Sequence, residues 1–219
     1  MLLGVMAAGG CSATRPWWLF PDKPDRTSYR TASMRMDAVR EIAQQGNRID
    51  SPEQRELTDQ LARQVQIEPD PLVREAIIDA MAEFGTPMAG QVLEAGLNDA
   101  DSEVRRKCCI ALGKRGNVES VDLLARVLAT ESDHQVRIAA VDALGMIKSP
   151  ESIKALTTAL EDRDPAMQYA GVRSLQMVTG RDYGGDVSAW LEYTRGGEGV
   201  APQRNPTSVA ERIKGLSPF

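Results

Sequence analysis

The sequence predicts an all-α fold, a right-handed α-solenoid of stacked helical hairpins with about 31 residues per unit. Three observations predict it. A five-residue fragment recurs four times at a nearly fixed interval. The apolar residues after each copy keep the same register. The composition, 42% hydrophobic and 26% charged but only 5% aromatic, suits closely packed soluble helices.

The fragments are Asp70-Pro-Leu-Val-Arg74, Asp101-Ser-Glu-Val-Arg105, Asp133-His-Gln-Val-Arg137 and Asp164-Pro-Ala-Met-Gln168, and their first residues lie 31, 32 and 31 positions apart. Counted from the Val or Met, the fifth following residue is Ile78, Cys109, Val141 or Val172. The eighth is Met81, Leu112, Leu144 or Leu175, and the seventh is small: Ala80, Ala111, Ala143 or Ser174. Each copy opens a long helix. The Asp is an N-cap for the free amides of the first turn, and Pro71 and Pro165 occupy the first helical position, where a missing N–H costs nothing. Gly85, Gly113 and Gly145 are expected to close or interrupt these helices.

A shorter helix follows each long one. Thr86-Pro87 and Ser149-Pro150 read as cap plus proline, and Asn117 as the cap of the third. Val92, Leu93 and Leu97, then Val121, Leu124 and Leu128, then Ile153, Leu156 and Leu160 recur at the three-and-four spacing of an amphipathic helix. No hairpin of this size buries its apolar faces alone, so the units must stack.

A degenerate copy precedes the four. Met34 to Ile42 matches the long helix and Ser51 to Leu61 the shorter one, with an insertion of about eight residues expected near Gly46 to Asp50. At the other end, Asp186 to Tyr193 reads as one closing helix whose Trp190 and Leu191 cover the last core. The chain therefore divides into residues 1–11, a linker over 12–30, the repeat array over 31–195 and a tail over 196–219.

The unit Asp-x-x-Val-Arg, followed by the Ala-Leu-Gly, Leu and Asp positions, resembles the phycobilisome-lyase type of HEAT-like repeat over roughly residues 31–195. The resemblance implies an armadillo-type solenoid. It also implies a family that holds scaffolds and adaptors, bilin-attachment proteins and iron-dependent deoxyhypusine hydroxylases. Those hydroxylases hold iron through repeated His-Glu pairs, whereas this chain has one histidine, His134, followed by Gln135. On that ground the expectation is a chain that is not an enzyme and has no metal or cofactor. With one histidine there is no Ser-His-Asp arrangement resembling a hydrolase and no Cys-His pair other than through chance proximity, and His134, next to an N-cap, reads as a solvent-facing or capping residue.

The other candidates for chemistry have structural readings. Cys108 and Cys109 fall in columns otherwise filled by Ile, Ala, Gly and Val, and read as small core residues. The glycine-rich stretches Gly180 to Gly185 and Gly196-Gly197 lack the context of a phosphate loop. The Asp and Arg columns read as a structural ladder. Net charge −5 disfavours nucleic acid as a partner, and no small-molecule substrate is expected. What the repeat does not fix is the expected recognition surface for a protein partner: Glu75, Asp79, Arg106, Ile110, Ile138, Asp142, Tyr169 and Arg173, on the concave side of the long helices, with Ile110, Ile138 and Tyr169 expected to be exposed. The expected role is a scaffold or adaptor; the alternative is an accessory to chromophore or cofactor attachment.

The two ends add a location. Ala8-Gly9-Gly10-Cys11 after a short apolar run resembles a bacterial lipoprotein box, which makes Cys11 a lipidation site and the chain a lipid-anchored protein of the cell envelope. No Lys or Arg precedes the run, which a misplaced start codon would explain; a cytoplasmic chain with a frayed N-terminus is the alternative. Trp17-Trp18-Leu19-Phe20 would sit at a membrane interface, dock on the first repeat or bind a partner, and Ser208 to Leu216 could form a short amphipathic helix.

Overall fold

The computed structural model describes residues 31–197, and among these all regular structure is helical. Cys11, Trp17 to Phe20 and Ser208 to Leu216, singled out above, lie outside the described residues. Ten α-helices form the array: α1 (Ala32–Ala43), α2 (Pro52–Ile67), α3 (Pro71–Glu83), α4 (Pro87–Gly96), α5 (Ser102–Arg115), α6 (Val121–Thr130), α7 (His134–Met146), α8 (Pro150–Leu160), α9 (Pro165–Thr179) and α10 (Val187–Thr194), with a 3-10 turn, Val118–Ser120, before α6. Odd-numbered helices pack on odd, even on even, and the two layers close over one apolar core.

The caps behave as their residue types require. Asp70 accepts the Leu72 amide, Asp101 those of Glu103 and Val104, Asp133 those of Gln135 and Val136, and Asp164 that of Ala166. Thr86 and Ser149 accept from Ala89 and Ser152. Two expectations change. Asn117 makes no side-chain cap bond, because the 3-10 turn intervenes and α6 begins behind Ser120. Gly113 and Gly145 do not end their helices; both are buried inside α5 and α7. A Cβ at Gly113 would stand 2.6 Å from the Cα of Ala143, and one at Gly145 would stand 2.7 Å from the Cβ of Ser174. Their smallness, with that of the Ala/Ser column, lets successive odd helices approach. The residue that closes α5 is Gly116, left-handed at φ 71°.

In the degenerate first unit the extra length is shared. The α1–α2 loop is longer than its counterparts, but α2 has also grown to 16 residues against 10 in α4 and α6. Buried Gln54 holds the loop by accepting the Asn47 amide at 3.0 Å and donating to the Gln45 carbonyl at 2.8 Å. At the far end α10 closes the core with Trp190, fully buried, while Leu191 is half-buried. Tyr183 meets Trp190 edge-on at 4.8 Å, and the indole N–H donates to the Gly184 carbonyl at 3.2 Å.

Candidate functional site

The Asp and Arg columns form a clamp at each junction between units, wired differently from a simple Asp–Arg ladder. Arg74 does not pair with its own cap. It forks onto Asp99 with two bonds of 2.8 Å and donates to the Glu68 and Pro69 carbonyls. Arg105 does the same to Glu131 at 2.7 and 3.1 Å, Arg35 to Glu68 at 3.0 and 2.8 Å, and Arg137 reaches Asp162. Each of these acids also accepts the amide of the cap two residues on: Asp70, Asp101, Asp133 and Asp164. One carboxylate thus ties a long helix to the start of the next. The bond from Arg105, helped by the Asp133 and Ser132 amides, outweighs burial and holds Glu131 at about 2. In the last unit Gln168 stands in the arginine slot and donates to the Asp162 carbonyl at 2.8 Å.

The two thiols lie in the core. Cys108 and Cys109 are fully buried; burial pushes Cys108 well above the ordinary thiol range and Cys109 up to about 12, the reverse of what a reactive thiolate needs. His134 is half-buried, its Nδ1 3.4 Å from the Asp164 carboxylate, so it sits between two cap residues. Among the described residues no group of three or more His, Cys, Asp and Glu side chains is placed to hold a metal ion, and no helix is long and apolar enough to cross a membrane.

The eight predicted recognition residues share the solvent side of the odd layer, but their character differs from the expectation. The charged ones are paired. Lys107 bridges Glu75 at 3.5 Å and Asp79 at 2.5 Å, Arg106 pairs with Glu103, and Arg173 of α9 pairs with Asp142 of α7. Burial raises the Glu75 carboxyl, against the pull of Lys107. Ile110 and Ile138 are half-buried and packed on the core, because adjacent odd helices approach closely enough to cover them; Tyr169 is 70% exposed. Sequence reasoning missed Met146 and Met177, exposed on this layer in matching register 31 residues apart, and Leu72, exposed at the start of α3.

Two hollows indent this side. One, of about 300 Å³ between α1 and α3, is lined by Met36, Leu72, Ala76 and Ala80 with Glu75 and Lys107 at its rim. The other, of about 280 Å³ beside α9, is lined by Tyr169, Val172, Arg173, Gln176 and the Gly184-Gly185 backbone.

A family model described as HEAT repeats matches residues 30–106, 58–141 and 91–176. No curated protein matches the chain. Among solved structures, that of human deoxyhypusine hydroxylase in complex with glycerol is similar at a TM-score of 0.53 with 22% identity, over 62% of this chain and 46% of that one. The chain thus spans about half the length of that structure. This comparison corrects the expectation that the chain is not an enzyme: an enzyme is built on the same kind of array, so the architecture gives no ground for excluding catalysis. The physical reason is that a helix stack fixes the backbone and the core while leaving the chemistry of its solvent side free to vary.

Proposed function

From the premise that the chain belongs to the HEAT-repeat family, we propose that it is a scaffold that holds a protein partner against the odd-helix layer. The observation that carries this reading is the pairing pattern. Charges on this side are neutralised by one another, while Tyr169, Met146 and Met177 stand exposed around the Arg173–Asp142 pair. An aromatic with flexible thioethers, set among satisfied charges, suits the apolar centre of an interface. The odd helices pack on one another more closely than the even ones do. A stack bends toward its tighter layer, which supports reading this side as the concave one. The net charge of −5 supports a protein rather than nucleic acid as the occupant.

Two finer elements belong to the same proposal. The repeat pattern is of the phycobilisome-lyase type, as the Asp-x-x-Val-Arg units support, and the chain is tethered to a cell-envelope membrane through Cys11, as Ala8-Gly9-Gly10-Cys11 supports.

A photo-crosslinking residue in place of Tyr169, expressed in the native host, tests the surface. The expected result is one discrete crosslinked partner from Tyr169 and none from Val118, which is exposed before α6 in the even layer. Equal crosslinking from both sites, or from Val118 alone, would sink the assignment. Mass spectrometry of the purified chain tests the tether: a diacylglyceryl mass on Cys11 supports it, and a free thiol there refutes it.

A further inference from the structure

The columns of the repeat single out one junction, that between α3–α4 and α5–α6. Four residues after the Ala/Ser column stand Phe84, Arg115, Ile147 and Val178. Phe84 and Ile147 are fully buried in the core, and Val178 packs against it. Arg115 puts a guanidinium where its counterparts put a core side chain. It lies on α4, its Nη2 3.5 Å from the place a Cβ of Gly90 would take, and donates to the Phe84 and Thr86 carbonyls at 2.5 and 3.1 Å. Its Nε is buried with no hydrogen-bond partner among the described residues. A charged head lodged between helices does not seal them as an apolar side chain does. Accordingly α2 packs on α4, α6 on α8 and α8 on α10, whereas α4 and α6 scarcely touch.

The odd layer is thinnest at the same junction. Two residues after the Ala/Ser column α5 and α7 carry Gly113 and Gly145, against which Ala143 and Ser174 close in, but α3 carries Ala82. The register sets Ala82 opposite Ala111, so a methyl stands where the later junctions have none. Ala82 is half-buried while Gly113 and Gly145 are buried, and α3–α5 is the slightest contact between successive odd helices. Much of what crosses is polar and long: Lys107 to Glu75 and Asp79, Arg74 to Asp99, and Arg115 to the α3–α4 loop. Such bonds tolerate rotation of one helix on another, whereas interdigitated glycine and alanine do not. The two sides stay joined where α4 leads into α5, with Gly96 so close to Cys108 that a Cβ there would meet its sulfur at 2.4 Å.

We infer that this junction is a hinge: α1–α4 and α5–α10 are two blocks, with α5 pivoting against α3 and the α4–α5 turn while the α4–α6 gap opens and closes. Opening that gap sharpens the bend toward the odd layer, and closing it straightens the array. The span from Leu72 to Tyr169 changes while each block keeps its own packing. The hinge belongs to the array itself and stands or falls whatever occupies the Tyr169 side.

The test is the distance distribution between paired spin labels in the full chain. A Cys11→Ser background leaves only the added cysteines reactive, because Cys108 and Cys109 are buried. Gln91→Cys/Lys154→Cys spans the hinge from α4 to α8 at matching exposed positions, and Arg126→Cys/Glu192→Cys spans α6 to α10 within one block. The expected result is a distribution roughly twofold broader for the first pair than for the second. Ala82→Gly with Arg115→Ile gives this junction the residues of the later ones. It should narrow the first pair to the width of the second and leave the second unchanged; Arg115→Ile alone serves if the two substitutions together disturb the control pair. Equal widths in the parent would overturn the inference. So would a broad Gln91–Lys154 distribution that keeps its width in the variant while the control pair stays narrow, which places the breadth in α4 itself.

Discussion

The two ends of the array stop the same stack by opposite means. At the N-terminal end the long helix keeps its place and changes its residues. Glu41 of α1 is exposed at the position where Ala80, Ala111, Ala143 and Ser174 are buried, and Asp37 and Arg40 beside it form an exposed pair. A carboxylate in that column cannot be desolvated without a partner, so this face of α1 is built to stay wet. At the C-terminal end the column stays small and an added helix plugs it. Trp190 is locked edge-on between Tyr183 at 4.8 Å and Tyr193 at 6.0 Å, and Arg181 lies 4.8 Å over the Tyr193 ring. An array can be ended by making its last face wet or by covering it. The first costs little and contributes little; the second concentrates stability in one side chain.

The sharpest way to break that contrast is Trp190→Ala. Removing a fully buried indole and its hydrogen bond leaves the last core open, and the expected loss is about 3–5 kcal/mol. Glu41→Ala at the other end should change stability by no more than about 0.5 kcal/mol, as exposed substitutions do. Urea titration of both variants checks this. Comparable losses would show that the two ends are not built differently.

Between the ends the junction clamps carry the next largest effect. Arg105→Ala leaves Glu131 half-buried without its guanidinium, and a loss of about 2–3 kcal/mol at neutral pH is expected. The acid limb tests the same bond. Glu131 is held at about 2, below its ordinary 4.5. A depressed carboxylate contributes stability that is fully present above 4.5 and is lost as pH falls toward 2. The parent should therefore lose stability across that window more steeply than the variant; parallel curves would remove Glu131 from the account.

Much of this frame was legible in the sequence because repetition made it so. The four capping aspartates, the prolines behind Asp70, Thr86, Ser149 and Asp164, and the closing helix with Trp190 all stand where spacing places them. The wiring of the clamp is written there too, as an acid two residues before every cap (Glu68, Asp99, Glu131 and Asp162), but the Asp and Arg columns alone suggest only a ladder, because which acid an arginine reaches across a junction is not a matter of spacing along the chain. Gly113 and Gly145 were read as helix ends because a glycine's local meaning is a break; their work is done across the interface, opposite Ala143 and Ser174, which no local pattern states. The solvent side of the odd layer was legible only in outline. Register placed Glu75, Asp79, Arg106, Ile110, Ile138, Asp142, Tyr169 and Arg173 on one side, but their pairing with Lys107 and Glu103 and the covering of the two isoleucines depend on how closely neighbouring helices approach.

The smallest effect is expected where the C-terminal end departs from the repeat. Ser174 occupies the column that is alanine in the three preceding units, fully buried against Gly145, and its hydroxyl finds no hydrogen-bond partner among the described residues. A buried hydroxyl that gives up water and gains nothing in exchange is a cost, and alanine removes it without enlarging the contact. Ser174→Ala should therefore raise stability by about 1 kcal/mol, a rare direction for a core substitution. The gain should disappear on the Trp190→Ala background if the closing helix is what keeps this junction dry, because water admitted beside α9 would then satisfy the hydroxyl. A double-mutant cycle between the two positions measures that coupling. Additive effects would place the dryness of the Ser174 site in the α7–α9 contact itself, and coupled ones would place it in the aromatic plug.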